Sequence, residues 1–366
     1  MKDIQRFLRK GNLELEPYIP GKPIEEVQAE FGLSEVIKMA SNENPLGPSP
    51  KALTSIKREL RNAHLYPEGP CTALRREMSK RLGIDEDMIT FSNGVDNLLY
   101  MIGNAFINEG DEIVMANPTF FVYTSVTKIM GGLPVYVKLK NGVHDLEAML
   151  AVVSQKTKIV FICNPNNPTG TIVRKRELND FFSKLPGDTL VVLDEAYFEF
   201  VSDKENPDGL DYIKEGYPVI SLRTFSKLYG LAGLRIGYAL GCREFIAALN
   251  RVREPFPVSR AAQAGALAAL EDEAFTKRVL KNNEKGKAYL YKEFEKMGFP
   301  YVPSQTNFIF VDLKRDSKEI FQSLLNQGII IRPGHLWNCP TFTRVTIGTM
   351  EESRKFIHSL KKMNIP

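Results

Sequence analysis

Lys227 is the residue of this sequence whose surroundings best suit covalent chemistry with an aldehyde. It follows the apolar run 219–222, a predicted buried strand, and lies between the hydroxyls of Thr224 and Ser226 and a glycine-containing loop. Burial disfavours a charged amine, so a lysine in a crowded pocket can form a Schiff base with an aldehyde. Arg235 and the two hydroxyls would suit a phosphate group beside it. A solvated lysine at an ordinary strand-to-loop transition is the alternative, and this stretch alone leaves both interpretations open.

Three other polar segments also follow apolar runs. They are residues 92–96 with the sequence Ser-Asn-Gly-Val-Asp, residues 164–170 with the sequence Asn-Pro-Asn-Asn-Pro-Thr-Gly, and residues 194–197 with the sequence Asp-Glu-Ala-Tyr. In the first of these, a strand, a glycine turn and a helix amino terminus would present free backbone N–H groups to an anion. Such joints are common, so this signal is weak by itself.

The elements that must position these segments alternate regularly between strand and helix. Strands are predicted at residues 88–91, 112–115, 134–138, 158–163, 189–194 and 219–222. This alternation is typical of βαβ units and predicts an α/β fold with a mainly parallel sheet. Ligands of such sheets bind at the carboxyl ends of the strands, so the polar loops should converge on one site. The candidate loops are residues 92–96, 117–120, 164–170, 194–197 and 224–235.

The pattern changes after residue 241. Helical patterns run over residues 243–253 and, after two prolines, from an alanine-rich stretch at residues 261–270 on to about residue 297. Three strands are then predicted, at residues 307–311, 328–332 and 343–347. These elements indicate a second, α+β domain.

Residues 13–50 are rich in proline and glycine, which predicts an irregular arm. A flexible tail is the alternative, but Tyr18, Ile19 and the apolar pair Val36 and Ile37 would be poorly used in a solvated tail. We therefore expect the arm to pack against the rest of the protein.

Composition and charge exclude several classes of protein. The 366 residues are 43% hydrophobic and 25% charged, which is typical of a globular chain, and the net charge of +4 is spread out, so nothing indicates a nucleic-acid partner. The four cysteines and four histidines are scattered, which argues against a zinc ribbon and indicates no metal site. The amino terminus lacks an apolar signal core, and no apolar run reaches the roughly 20 residues of a membrane helix, so we expect a cytoplasmic protein without a membrane partner.

Together, the motifs closely resemble those of the fold-type I pyridoxal-phosphate aminotransferases. The motifs of this superfamily are residues 164–170, residues 194–197, Ser226-Lys227 and the sequence Gly-Leu-Arg at residues 233–235. The segments that look like the histidinol-phosphate aminotransferase family are residues 17–23 (Pro-Tyr-Ile-Pro-Gly-Lys-Pro), 40–45 (Ala-Ser-Asn-Glu-Asn-Pro) and 344–349 (Arg-Val-Thr-Ile-Gly-Thr). The similarity extends over nearly the whole chain, and several motifs in order are more specific than any one of them.

This resemblance implies a fold and an assembly. Residues 46–250 would form a large domain that binds pyridoxal 5'-phosphate, with a mainly parallel seven-stranded sheet between helices. Residues 251–366 would form a small α+β domain, joined by an amino-terminal arm, residues 1–45, that covers the substrate. Members of the family are generally homodimers, so we expect a homodimer with shared active sites.

The resemblance also implies roles at the cofactor ring. Lys227 would bind the cofactor aldehyde and move a proton between the substrate α-carbon and the cofactor carbonyl carbon. Asp194 would keep the pyridine nitrogen protonated, the alternative being a helix-capping aspartate. Tyr197 and Asn167 would hydrogen-bond the ring hydroxyl oxygen, and Phe120 would stack on the ring. The alternatives are a turn residue for Asn167 and a core residue for Phe120.

A second set of residues is expected at the cofactor phosphate. Its members are the backbone N–H groups of Gly94 and Val95, the hydroxyls of Thr224 and Ser226, and the guanidinium of Arg235. Val95 is larger than the residue expected at its position, so only its N–H group would contribute. Tyr66 resembles the tyrosine that reaches the phosphate from the other subunit.

Substrate recognition is expected to depend on two arginines. Arg344 matches the family arginine that holds the carboxylate of the amino donor through a bidentate pair. Arg332, with Tyr18 and Asn42 of the arm, looks positioned to meet a phosphate or another distal group of the substrate, and a surface ion pair is the alternative. Residues 334–339, with the sequence Gly-His-Leu-Trp-Asn-Cys, are less typical of the family and leave the side-chain preference open.

These roles predict a histidinol-phosphate aminotransferase, which would exchange an amino group between L-histidinol phosphate and 2-oxoglutarate in histidine biosynthesis. An aromatic amino acid aminotransferase and a phospho-amino-acid decarboxylase on the same scaffold are the nearest alternatives. A cofactor-sensing regulator would need a DNA-binding module, for which no stretch is left over. A nucleotide-binding dehydrogenase would need a Gly-x-Gly-x-x-Gly turn, which residues 92–96 do not supply.

Overall fold

The computed structural model of the chain describes residues 4–15, 17 and 21–363. The strands in this part of the chain are β1 (Ile37–Lys38), β2 (Ile89–Ser92), β3 (Glu112–Asn117), β4 (Leu133–Lys138), β5 (Thr157–Cys163), β6 (Leu190–Asp194), β7 (Val219–Thr224), β8 (Gly237–Gly241), β9 (Tyr301–Val302), β10 (Phe308–Asp312), β11 (Ile329–Ile330), β12 (Arg332–Pro333) and β13 (Phe342–Thr346). The helices are α1 (Lys10–Leu13), α2 (Ile24–Phe31), α3 (Pro50–Glu59), α4 (Thr72–Leu82), α5 (Gly94–Phe106), α6 (Val122–Met130), α7 (Leu146–Ala151), α8 (Lys175–Phe182), α9 (Gly209–Lys214), α10 (Arg243–Val252), α11 (Arg260–Leu270), α12 (Glu273–Lys296), α13 (Ser317–Leu325) and α14 (Met350–Lys362). Short 3-10 turns lie at Ile4–Phe7, Leu60–Asn62, Glu86–Met88, Phe198–Phe200, Ala232–Leu234 and Gly334–Trp337.

Seven of these strands form one sheet in the order β2-β8-β7-β6-β5-β3-β4. Neighbouring strands from β7 to β4 are parallel, whereas β8 is antiparallel to both β2 and β7. Strands β5, β6 and β7 are buried along nearly their whole length, and β5 and β6 are mainly apolar, as expected for parallel strands covered on both faces. The predicted α/β fold class is therefore confirmed, and the loops after these three strands meet at one edge of the sheet.

The strands predicted up to residue 224 form within two residues of their expected bounds. The prediction lacks β8, because glycines at both of its ends weaken a strand pattern. Gly237 is needed for the position of this strand: a Cβ atom there would lie 2.9 Å from the backbone nitrogen of Val95 and 3.0 Å from the carbonyl carbon of Gly94. The close approach brings β8 against the amino terminus of α5.

A second sheet has the antiparallel order β12-β13-β10-β9. In its register, Arg344 of β13 lies opposite Arg332 of β12 on one side and opposite Phe310 of β10 on the other. The predicted strand at residues 328–332 is in fact divided between two sheets, because β11 pairs with β1 while β12 joins β13. The predicted domain limits at residues 45/46 and 250/251 stay predictions.

The prediction of an irregular arm is wrong in part. Residues 13–50 contain α2 and β1, and Ile37 of β1 pairs in parallel with Ile329 of β11. Val27 of α2 is buried in an apolar cluster with Leu325 and Ile330. Burial of these side chains fixes the arm against α13 and β11 and so leads residues 40–44 into the region between the two larger sheets.

The helical region after residue 241 also differs from the prediction in one respect. The helix expected to continue from residue 261 to about residue 297 is two helices, α11 and α12, and the side chain of Asp272 caps the second by accepting from the backbone N–H of Phe275 at 3.3 Å. Within residues 4–15, 17 and 21–363, no helix is both long and apolar enough to cross a membrane.

Candidate active site

A cavity of about 520 Å³ lies where the carboxyl ends of β5, β6 and β7 meet the second sheet. The last residues of these strands, Cys163, Asp194 and Thr224, all line it. The cavity brings together most residues that the sequence singled out. The predicted site residues among its lining are Asn42, Val95, Phe120, Asn167, Asp194, Tyr197, Thr224, Ser226, Lys227, Arg235, Arg332 and Arg344.

Lys227 reaches the cavity from the loop after β7. Its Nζ donates a hydrogen bond to the carbonyl oxygen of Ser41 at 3.1 Å, so the amine contacts the amino-terminal arm. The withdrawal of the amine from water lowers the pKa of Lys227 to about 8, and the positive charge of Arg344 acts in the same direction. Glu43 and Asp96 oppose this shift. At pH 7, about a tenth of Lys227 is therefore the uncharged nucleophile, far more than for an exposed lysine.

Asp194 ends β6 with its carboxylate buried, and only 3% of the residue is exposed. The hydroxyl of Tyr123 donates to its Oδ2 at 2.7 Å, and the backbone N–H of Ala196 donates to its Oδ1 at 3.1 Å. Burial raises the pKa of Asp194 to about 6, against the opposing effect of both hydrogen bonds. A buried carboxylate of this kind suits a positively charged partner group in the cavity.

Tyr197 is fixed by the arm. The side-chain Nδ2 of Asn42 donates to its hydroxyl oxygen at 2.8 Å, and burial raises the pKa of Tyr197. Asn42 is in turn held by Thr346, whose Oγ1 accepts from the Asn42 backbone N–H and donates to the Asn42 Oδ1, both at 2.9 Å. The Nδ2 of Asn307 donates to the carbonyl oxygen of Asn42 at 2.9 Å. Asn42 thus connects Tyr197 to the second sheet, a contact that the sequence did not predict.

One end of the cavity has the character of an anion site. Helix α5 begins at Gly94, and the side chain of its preceding residue, Asn93, makes no capping hydrogen bond. Gly94 has a φ of 81°, and a Cβ atom there would lie 2.5 Å from Nη2 of Arg235. The Arg235 guanidinium also donates to Asp96 Oδ2 at 3.2 Å and to the carbonyl oxygen of Ala232 at 3.3 Å. A helix amino terminus and a guanidinium therefore face the same small volume.

Two arginines enter the cavity from the second sheet, Arg332 on β12 and Arg344 on β13, and each is 7% exposed. Nη1 of Arg344 donates to Oδ1 of Asn167 at 2.5 Å, and its Nη2 donates to the carbonyl oxygen of Ala40 at 2.7 Å. Arg332 and Arg344 lie directly opposite each other on these adjacent antiparallel strands. Their burial excludes the exposed ion pair considered for Arg332 and brings two positive charges to the wall opposite β6 and β7.

Phe120 lines the cavity and packs edge-on against Tyr123 with 5.7 Å between ring centroids. Two other predicted residues, Tyr66 and Tyr18, are not among the described residues that line it. Tyr66 is 79% exposed and stacks on Phe256 at 4.6 Å, so its own chain does not bring it into the cavity. Tyr18 lies outside the described residues.

Sequence reasoning missed two groups that contact the central residues. Tyr123 is the hydrogen-bond donor to Asp194, and the carbonyl of Ser41 accepts from Lys227. A signal for Tyr123 existed: it follows Phe120 by three residues in a segment with a helical pattern, and this spacing favours contact between the two side chains, although α6 itself begins only at Val122. The main-chain contact of Ser41 has no signal of this kind, because any residue supplies the same carbonyl group.

The groups around the cavity fit pyridoxal phosphate, the cofactor that the resemblance implies. The cavity combines an amine of lowered pKa, a buried carboxylate and an aromatic side chain, Phe120. The anion site at the start of α5 lies beside the hydroxyl-bearing residues Thr224 and Ser226. An aldehyde, a basic ring nitrogen and a phosphate on one small molecule would meet complementary partners here.

Comparison with known proteins agrees with this chemistry. The family model described as aminotransferase class I and II matches residues 34–360. A histidinol-phosphate aminotransferase of Moorella thermoacetica is 49% identical over 97% of this chain and 92% of the relative, and one of Brevibacillus brevis is 50% identical over 94% of this chain and 95% of the relative. The crystal structure of histidinol-phosphate aminotransferase from Sinorhizobium meliloti in complex with pyridoxal-5'-phosphate has a TM-score of 0.88 and 28% identity, and covers 96% of this chain and 97% of that one.

Proposed function

We propose, from the premise that the chain belongs to the aminotransferase class I and II family, that it exchanges an amino group between L-histidinol phosphate and 2-oxoglutarate. The protein is a pyridoxal-phosphate-dependent aminotransferase, and it acts on an amino donor and a 2-oxo acid. The observation that carries the specific substrate is the pair of buried arginines, Arg332 and Arg344, opposite Lys227 and Asp194 in one cavity. Two buried cations suit substrates with a phosphate or carboxylate group. The relatives that are 49% and 50% identical support this choice.

Lys227 is the residue to which we assign covalent binding and proton transfer. Pyridoxal phosphate, when bound, carries the amino group between the two half-reactions and withdraws electrons from the substrate α-carbon. With a pKa of about 8, the Lys227 amine can take a proton from the α-carbon near neutral pH and can return it at the end of the half-reaction. Ser41 supports this role, because its carbonyl oxygen orients the amine.

Asp194 and Tyr197 are assigned to orienting the ring. The Asp194 carboxylate would hold a proton on the pyridine nitrogen, and the Tyr123 hydrogen bond would keep the carboxylate pointing into the cavity. Tyr197 and Asn167 would hydrogen-bond the ring oxygen, and Phe120 would pack on the ring face. Because Asp194, Tyr197 and Asn167 are buried and held by neighbours, they would need little rearrangement during the reaction.

The cofactor phosphate is assigned to the anion site. The N–H groups of Gly94 and Val95, the hydroxyls of Thr224 and Ser226, and the guanidinium of Arg235 would hold it. Arg344 is assigned to the carboxylate of glutamate, and Arg332 to the phosphate of the other substrate. Asn42 remains a proposed substrate contact as well as the partner of Tyr197.

We propose a second copy of the chain as the partner. Tyr66 and Phe256 form a stacked aromatic pair that is 79% and 49% exposed, respectively, and Leu60 and Leu65 nearby in the sequence are also about half exposed. Exposed aromatic groups of this size are typical of an interface. A shared active site would bring Tyr66 to the cofactor phosphate of the partner subunit. The cytoplasm is the compartment that we propose, since all four cysteines are free thiols.

The test is a panel of amino donors offered separately to the cofactor-loaded protein. Histidinol phosphate, phenylalanine, tyrosine, aspartate and threonine phosphate are compared by the loss of cofactor absorbance and by their products. We expect kcat/KM for histidinol phosphate to exceed that of each other donor by more than tenfold, about 1.4 kcal/mol of transition-state discrimination. A tenfold preference for an aromatic amino acid, or release of carbon dioxide from threonine phosphate as the main reaction, would contradict the proposed substrate.

A further inference from the structure

The segment of residues 334–339 holds the only tryptophan of the sequence against an active-site arginine. The ring of Trp337 lies over the guanidinium of Arg344, with 5.2 Å from the arginine Cζ to the ring centroid. The ring of Phe308 also faces this guanidinium, at 5.3 Å. Two aromatic rings therefore lie within the distance at which cation–π attraction acts on Arg344.

The turn that carries Trp337 is closely packed. A Cβ atom on Gly334 would lie 2.3 Å from the carbonyl oxygen of Cys339 and 2.4 Å from that of Phe342, so the two ends of the turn are in contact. The backbone N–H of Cys339 donates to the carbonyl oxygen of Gly334 at 3.0 Å. Nδ1 of His335 and Oγ of Ser317 share a hydrogen bond at 2.7 Å, which ties the turn to α13. The position of Trp337 is thus determined by the fold.

The Arg344 guanidinium makes two kinds of contact, hydrogen bonds from its nitrogen atoms and contacts with aromatic rings. Its nitrogen atoms donate in the plane of the guanidinium, to Oδ1 of Asn167 and to the carbonyl oxygen of Ala40. The aromatic rings of Trp337 and Phe308 contact it instead through their π-systems. A guanidinium covered in this way is shielded from water and restricted in orientation, and both effects strengthen its pairing with a carboxylate.

We propose that Trp337 is a positioning residue for carboxylate recognition: its ring holds the Arg344 guanidinium in the orientation that binds a dicarboxylate substrate. This inference rests on the proposed function, in which Arg344 binds the carboxylate of glutamate and of 2-oxoglutarate. Trp337 acts through Arg344 and is not among the residues lining the cavity. Its effect should therefore appear in the affinity for dicarboxylates and not in the chemical step.

The test compares Trp337→Leu and Trp337→Phe in the cofactor-loaded protein. Succinate, a dicarboxylate without an amino or oxo group, is titrated and its binding is followed by cofactor absorbance. We expect the Kd for succinate to rise roughly 5- to 30-fold in Trp337→Leu and less than about threefold in Trp337→Phe, because phenylalanine keeps an aromatic face. The KM for 2-oxoglutarate should rise in parallel, while kcat stays within about twofold of the wild type.

Intrinsic fluorescence supplies a second readout, since Trp337 is the sole tryptophan. Succinate should change the emission of the wild type, because a carboxylate on Arg344 alters the field at the indole. The change should be lost in Arg344→Gln and kept in Leu336→Ala. Leu336 is the matched control because it lies in the same turn and is 46% exposed.

The outcomes separate this inference from the proposed function. If Trp337→Leu binds succinate as tightly as the wild type, the positioning role is wrong, even where the wild type converts histidinol phosphate. Equal weakening in Trp337→Leu, Trp337→Phe and Leu336→Ala would also overturn it, since loosening of the turn would then explain the result. Conversely, a wild type that rejects histidinol phosphate but shows the expected Trp337 effects would remove the proposed substrate and leave the positioning role intact.

Discussion

Burial changes the two central ionisable groups of the active site in opposite directions. It raises the pKa of the Asp194 carboxyl to about 6 and lowers that of the Lys227 amine to about 8. The physical cause is the same, because removal from water disfavours the charged form of either group. Both groups therefore titrate close to neutral pH. The same burial of charge that makes them reactive lowers the stability of the folded protein.

The first prediction concerns that unfavourable burial at Asp194. Since the pKa of Asp194 is higher in the folded protein, folding takes up protons between about pH 3.8 and pH 6, and stability is lost as the pH rises through this window. Asp194→Asn removes the charge but keeps the shape. We expect the cofactor-free variant to be more stable than the cofactor-free wild type by up to about 3 kcal/mol at pH 8, and by about half as much at pH 5.

Urea denaturation at both pH values measures this difference. Asp188→Asn, at the exposed position two residues before β6, is the matched control and should leave stability unchanged at either pH. A gain at Asp194 that does not grow between pH 5 and pH 8 would argue against burial of the charge as its cause. The same variant should lose aminotransferase activity, because the ring nitrogen would lack its carboxylate.

A second prediction concerns Lys227. Only the neutral amine binds an aldehyde, so the rate at which cofactor-free protein binds pyridoxal phosphate should rise with pH and level off above about pH 8. In Arg344→Gln the midpoint should move to higher pH, because a neighbouring positive charge that lowers the pKa has been removed. Stopped-flow absorbance measures the rate. The control is Arg243→Gln, an equal change of charge at an exposed site, which should leave the midpoint in place. A downward shift of the midpoint in Arg344→Gln would disprove the assigned cause.

At the scale of elements, the sequence predicted those parts of the site that depend on local pattern. Each motif follows an apolar run that forms a strand, so Asp194 and Lys227 lie near strand ends as expected. Pairings between distant short segments could not be predicted. Strand β1 has only two residues, and its partner β11, which lies within a predicted strand, is almost three hundred positions away, so no local pattern indicates that they pair. The hydrogen bond from Asn42 to Tyr197 depends on that pairing.

The third prediction tests the amino terminus of α5. Gly94→Ala forces a side chain into a φ of 81° and brings its Cβ atom against Arg235, whereas Gly110→Ala meets a φ of 86° with no atom within 4 Å. Both changes should therefore cost about 1–2 kcal/mol of stability from backbone strain. Only Gly94→Ala should weaken pyridoxal phosphate binding, by tenfold or more, because Arg235 must move. Cofactor release on dilution and urea denaturation measure the two effects, and equal cofactor retention in both variants would refute the anion site.

At the scale of the whole molecule, the residues of the active site come from two sheets and from the arm. Lys227 and Asp194 come from the seven-stranded sheet, while Arg332 and Arg344 come from the four-stranded sheet. Asn42 of the arm contacts both sides, through Tyr197 and Thr346. Groups for the chemistry and groups for the substrate can therefore change independently, which fits a fold that supports several aminotransferase specificities.

The last prediction asks whether two chains share each active site. Lys227→Ala and Tyr66→Phe chains are mixed so that subunits exchange, and activity is measured at limiting cofactor. In a mixed dimer with shared sites, one site combines an intact Lys227 with the intact Tyr66 of the other chain, so random exchange should restore roughly a quarter of wild-type activity. Lys227→Ala mixed with Asp194→Asn is the control: Lys227 and Asp194 line one cavity of the same chain, so no mixed dimer contains a complete site and no activity should return. Equal behaviour of the two mixtures would mean that Tyr66, although 79% exposed, serves no neighbouring site.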